Sequence, residues 1–189
     1  MTHARLRLII TLALIAVTLF LYAVLPRYEA NEGPLVDFGP GLANWRQMGT
    51  ISVIEMNDGV LRLEAATNTT SAGIRRTITR RPGEDNMRLS AWVSHDEVST
   101  GLRGWHAMRI LLTAIDPSGK KMWELPHVLQ QSQGSGPWRF VSRVFYLPPS
   151  VAALEVYSGL NRVTGRMQVR DLVLEVVHER PLFKRPTRN

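Results

Sequence analysis

Residues 50–65 read Thr50-Ile51-Ser52-Val53-Ile54-Glu55-Met56-Asn57-Asp58-Gly59-Val60-Leu61-Arg62-Leu63-Glu64-Ala65. Two short alternating runs flank Asn57-Asp58-Gly59, a hairpin signal because Asn, Asp and Gly tolerate the positive φ angles that a tight loop demands. The period of two turns Leu61, Leu63 and Ala65 to one face and leaves Arg62 and Glu64 on the other. The same style governs the runs toward the C-terminus. Ile74 to Ile78 is a third run, stopped by Arg80-Arg81-Pro82-Gly83. Met87, Leu89, Ala91 and Val93 then alternate against Arg88, Ser90, Trp92 and Ser94. Met108 to Ile115 is more continuously apolar, as a central strand should be, and Asp116-Pro117-Ser118-Gly119 ends it.

Trp138 to Leu147 is the longest run and closes at Pro148-Pro149. Ala153 to Leu160 turns Leu154 and Val156 inward and Glu155 and Tyr157 outward. Val169 to Val177 completes the series. The step from Val169 to Leu172 breaks strict alternation, which predicts a β-bulge at Arg170-Asp171. Eight or nine strands without an amphipathic helix predict an all-β, two-sheet antiparallel sandwich over residues 37–177.

Outside this region, residues 8–25 (LIITLALIAVTLFLYAVL) carry no charge. Eighteen helical residues reach roughly 27 Å, close to the thickness of the bilayer hydrocarbon. Arg5 and Arg7 precede the run and no acid occurs before Glu29, so the positive-inside rule keeps residues 1–7 cytoplasmic. The expectation is one N-terminal transmembrane α-helix, an uncleaved signal anchor in the inner (cytoplasmic) membrane. Residues 26–36 form a short polar linker, the sandwich is periplasmic or extracellular, and residues 178–189 form a basic tail. A cleaved signal peptide is the competing reading, but the run is long for one and its exits place Tyr22 or Glu29 within the cleavage motif.

The chain lacks cysteine, which removes disulfides, thiolate metal sites and thiol nucleophiles. Lys120, Lys121 and Lys184 are the only lysines among 23 basic residues, so arginine carries the formal net charge of +7. This mild bias favours anionic glycans or acidic lipids as neighbours of the lipid bilayer. Nucleic acid is not expected as a partner.

Four segments resemble jelly-roll domains of the galactose-binding-like, carbohydrate-binding-module type. They are Gly41-Leu42-Ala43-Asn44-Trp45 before the 57–63 hairpin; Gly136-Pro137-Trp138-Arg139-Phe140-Val141; Phe145-Tyr146-Leu147-Pro148-Pro149; and Gly165 leading into Val169-Arg170-Asp171-Leu172-Val173-Leu174. The resemblance implies a jelly roll and a glycan ligand. It also implies a structural calcium held by Asp171 and Asp37, although Arg170 stands where the type usually has a second acid. The alternative role for Asp171 is to cap the bulge by bonding backbone N–H groups.

The histidines share no metal-ligand spacing, and the chain has no nucleophile elbow, phosphate loop or Ser-x-x-Lys motif. No enzyme is expected. Sugar rings present a C–H face that packs on exposed aromatic side chains, so Trp92 and Tyr157, each on the polar side of its strand, are candidate platforms. If their strands share a sheet, Trp92, Tyr157 and Arg88 line one concave face, with Trp105 and Trp123 as its rim. Trp45 and Trp138 are assigned to core packing. The expected function is a membrane-anchored, non-catalytic glycan-binding accessory of polysaccharide assembly. The second reading is a single-pass structural subunit docked on a multi-pass membrane protein without binding sugar.

Overall fold

The Asp58-Gly59 loop joins β3 (Val53–Asn57) to β4 (Val60–Ala65), and Asn57 pairs directly with Val60. Both loop residues have positive φ, 50° and 74°, the type I′ geometry that matches the twist of a hairpin. Leu61, Leu63 and Ala65 are buried as the alternation demands. The protein is described by a computed structural model covering residues 10–18, 20, 27–30, 33–38 and 41–180.

Besides β3 and β4, the strands are β1 (Arg27–Ala30), β2 (Arg46–Met48), β5 (Ser71–Thr79), β6 (Asn86–Val98) and β7 (Ala107–Ile115). They continue with β8 (Val128–Ser132), β9 (Gly134–Tyr146), β10 (Ala153–Asn161) and β11 (Gly165–Arg180). The back sheet has the order β3-β4-β11-β6-β9, with β1 also pairing β11, and the front sheet has the order β2-β5-β10-β7-β8. Neighbours along both orders run antiparallel. The inner phases of β4, β6 and β11 join those of β5, β7 and β10 in one apolar core. β7 and β10 are buried along nearly their whole length, on both faces.

The predicted bulge is present. The β11–β6 register breaks between Arg170 and Val173, Asp171 takes φ 51°, and Leu172 and Leu174 return fully to the core. The structure adds short strands β1, β2 and β8, whose few residues include too few apolar positions to show a period. The longest strand is β11 rather than β9.

The chain divides into two compact units, residues 31–177 and residues 1–30 with 178–189. Of the 8–25 run, residues 10–18 and Phe20 are helical, with Leu12, Leu14 and Phe20 exposed. The other positions of the run lie outside the described residues. Among the described residues, no helix is long and apolar enough to cross a membrane. The segment 26–36 contains β1 and an isolated bridge from Val36 to Leu174. The segment 178–189 contributes the end of β11, and its residues 181–189 lie outside the described residues.

Arg80, the first residue of the turn signal that stops the 74–78 run, is a structural tie. Its side chain is only 6% exposed and donates to the carbonyls of Glu84, Pro148 and Val151 and to the Asp85 carboxylate. Removing it takes the side-chain donor from the Glu84 and Val151 carbonyls and one of two donors from the Pro148 carbonyl, which also accepts from Val151 N–H. Arg80→Ala is expected to lower the unfolding free energy by about 2–4 kcal/mol in urea denaturation. Leu154→Ala, in the central strand of the front sheet, should cost about 3 kcal/mol in the same assay.

Candidate functional site

β10 buries its inner phase in the core, but its outer residues Glu155 and Tyr157 are buried too, at 5% and 6% exposure. The registers of its neighbours lay out the front sheet's outer face row by row. One row runs Arg46, Arg75, Tyr157, Leu111, Val128. The next runs Met48, Gly73, Gly159, Arg109, Gln131, and on the other side lies Thr77, Glu155, Thr113.

Gly73 and Gly159 face each other in this array and explain the position of Tyr157. A Cβ at Gly73 would lie 2.8 Å from Tyr157 Cε2, and one at Gly159 would lie 2.5 Å from the Tyr157 hydroxyl. The phenol therefore lies along the sheet over a floor that has no side chains. Its hydroxyl, the Nε of Arg109 and the hydroxyl of Thr113 are all buried without a hydrogen-bond partner among the described residues. Such groups cost about 1–3 kcal/mol each when left unpaired, so three on one face make an unusual concentration. Burial pushes the Tyr157 phenol well above its usual range, opposed by Arg109 and reinforced by Glu155. Burial also pulls the Arg109 guanidinium down, against the influence of Tyr157.

Glu155 is held between two cations, with Arg75 Nη1 at 3.2 Å and Lys121 Nζ at 2.5 Å. Lys121 in turn stands 5.4 Å from the ring of Trp123, which is 51% exposed and packs edge-on against His127. At the opposite end of β10, Asn161 Nδ2 donates to the carbonyl of Trp105. Trp105 is 39% exposed and is packed edge-on by His106. The two exposed indoles are thus tethered near Glu155 and Asn161, positions roughly 20 Å apart along the strand.

The expected union of Trp92, Tyr157 and Arg88 on one face does not occur. Trp92 and Arg88 are on β6 in the back sheet and Tyr157 is on β10 in the front sheet. Tyr157 does point outward, as its phase indicates, but it is buried rather than an exposed platform. Arg88 Nε donates to Glu175 Oε1 at 2.7 Å on the back sheet. Trp92 stacks at a tilt on Phe140, and the Arg170 guanidinium lies 5.2 Å from Trp92 and 5.1 Å from Trp138. Trp138 therefore belongs to the back sheet's outer surface, not to the core, whereas Trp45 packs against the core beside Phe38. Arg109 and Thr113 escaped the sequence reading because the run around them is apolar. Their shared phase with Leu111 was the available signal.

No family model and no curated protein sequence matches the chain. Among solved structures, the enzymatically active domain of tailspike protein 4 of bacteriophage CBA120 has a TM-score of 0.56 at 14% identity over 76% of this chain. This chain spans 21% of that one, so the likeness concerns one part of the tailspike. A CBM4 module gives 0.52 at 11% identity, covering 77% of this chain and 94% of the module. The xylan-binding domain of CBM22 gives 0.52 at 13%, covering 77% and 96%. The fold is the jelly roll of these carbohydrate-binding modules. At such identities the likeness is one of backbone, and the jelly roll leaves the chemistry to the side chains described above.

A calcium ion takes six to eight oxygen ligands. Asp171 is exposed at the bulge, and Asp37 lines a small pocket that Arg76 also lines. Among the described residues, no three His, Cys, Asp or Glu side chains converge on a common point.

The buried phenol makes two expectations. Tyr157 holds its proton more tightly folded than unfolded, so its contribution to stability is full below about pH 10 and is lost as pH rises beyond that. Tyrosinate absorbance should show one of the four tyrosines ionising only with alkaline unfolding, and Tyr157→Phe should remove that phase. Because the hydroxyl has no partner among the described residues, Tyr157→Phe is also expected to leave stability unchanged or raise it by about 1 kcal/mol.

Proposed function

We propose that the chain is a non-catalytic carbohydrate-binding protein whose front sheet holds a glycan chain between Trp105 and Trp123. The observation that carries this reading is the pair of exposed indoles, Trp105 and Trp123, at the two ends of a sheet face whose outer rows carry arginines. Sugar hydroxyls both donate and accept, so the exposed Arg46 and the half-buried Arg75 on the same face can bond them. Indole faces at each end supply the apolar contact for C–H groups. Arg46, Arg75 and Arg109 outnumber Glu155 on the outer rows, which favours a glycan bearing carboxylates.

The jelly roll shared with CBM4 and CBM22 modules supports the ligand class. The uncharged run 8–25, preceded by Arg5 and Arg7, supports attachment to the inner membrane with the jelly roll on the far side. There it would retain an envelope or exported polysaccharide close to the bilayer.

Affinity electrophoresis of the detergent-solubilised full chain through gels containing xylan, glucomannan, polygalacturonate or alginate tests the reading. Retardation is expected, strongest in the acidic polymers, with Trp105→Ala and Trp123→Ala each weakening it by about tenfold. Migration unaffected by every polymer, or retardation unchanged in both variants, would overturn the proposal.

A further inference from the structure

The back sheet carries a cavity of about 600 Å³ that the front-sheet reading does not use. Its walls include Arg62, Ser94, His95, Asp96, Arg166 and Gln168, and its volume lies within the range of small-ligand pockets. The registers put Arg62, Gln168 and Ser94 in one cross-strand row and Glu64, Arg166 and Asp96 in the next. On the other side of the first row lie Arg170, Trp92 and Phe140, one pleat repeat away, roughly 7 Å. Trp92 and Phe140 thus stand one row beyond the cavity's own lining, with Arg170 over the Trp92 ring.

The polar groups are partly committed to each other. Arg166 bonds both Asp96 at 2.6 Å and Glu97 at 2.8 Å, and Ser135 donates to Asp96 at 2.9 Å. Ser94 donates to Gln168 at 3.2 Å, which leaves the Gln168 amide N–H groups free to donate. Arg62 lies 3.6 Å from Glu64 and 4.0 Å from Glu55, loose contacts for an ion pair. His95 is only 9% exposed, and its Nδ1 has no partner among the described residues. Gly136 makes room for that ring, since a Cβ there would lie 2.5 Å from His95 Cε1.

We propose that this cavity is a second carbohydrate site, built for a single neutral pyranose unit, on the face opposite the front sheet. Three properties select that ligand. Arg62 and Arg166 each stand against two carboxylates, Glu55 with Glu64 and Asp96 with Glu97, so the cavity has no surplus positive charge, and an anionic ligand would meet Asp96 inside it. The donors and acceptors are interleaved over a short distance, which suits vicinal hydroxyls. Trp92, Trp138 and Phe140 are left partly or largely exposed beside them, which suits the C–H face of a sugar ring. Burial also holds the His95 imidazole below its usual range, with the Gln133 backbone and Asp96 opposing and Arg139 reinforcing. The ring is therefore neutral near pH 7 and its Nδ1 can accept or donate according to tautomer. This proposal does not rest on the front-sheet reading.

The test uses the full chain in mild detergent, with its five tryptophans labelled at the indole nitrogen. The probes are the methyl pyranosides of glucose, galactose, mannose, xylose and N-acetylglucosamine, each titrated to high millimolar concentration while indole N–H resonances are followed. At least one probe is expected to move Trp92 and Trp138 while Trp45 stays fixed. Gly136→Ala, which drives His95 into the cavity, and Gln168→Ala should each weaken that response by about tenfold. If Gly136→Ala disturbs the rest of the spectrum, Gln168→Ala carries the comparison. The site is overturned if no probe moves Trp92 or Trp138, or if their response survives Gln168→Ala at full strength. Movement confined to Trp105 and Trp123 also overturns it and leaves the front-sheet reading standing, whereas movement confined to Trp92 and Trp138 does the reverse.

Discussion

Two glycines facing each other across β5 and β10 set the terms for the front sheet. Without side chains at Gly73 and Gly159, the Tyr157 ring can lie down along the strands instead of standing off them. A ring lying down shields the sheet from water. It also brings its own hydroxyl, and the neighbouring Arg109, into a low-dielectric layer where hydrogen bonds are strong and unpaired groups are costly. Glu155 is tolerated beside them because Arg75 and Lys121 both reach it. A Cβ at either glycine would lift the phenol and unmake the arrangement.

The sheet thus has two different interiors. Its inner side is an apolar core of the ordinary kind, closed by the back sheet. Its outer side is buried but polar, and its polar groups are not mutually satisfied. Folding alone gives no return for that second layer. The back sheet differs in kind. Arg88 with Glu175, and Arg166 with Asp96 and Glu97, largely neutralise one another, and one cavity interrupts the pattern.

Much of this was visible in the sequence, and the part that was not has a physical cause. Alternation fixes which side of its own strand a residue occupies, so the inward phase of Leu154 and Val156 and the bulge at Arg170-Asp171 were both legible. Alternation says nothing about which strands become neighbours, because that is settled by contacts between distant segments. Trp92 and Tyr157 were each given the correct side and yet lie on different sheets. Trp138 was misplaced for a related reason. Its glycine-led strand resembled a core-sealing segment, but on β9 its phase turns it toward Arg170. Arg109 was concealed by apolar neighbours, which in a half-buried strand would have marked it as solvent-facing. In a strand covered on both sides, the same residue is the informative one.

The long strand β9 forms one border of the back sheet, with β6 as its neighbour among the described residues, and such borders invite other chains to add on. Pro137 interrupts its row of amide donors, exposed Arg139 and Arg143 place like charges along it, and its register with β6 slips twice near His95. Together these features make the border a poor template for a second copy. A border that refuses to polymerise keeps encounters between copies from becoming aggregation, however high the local concentration.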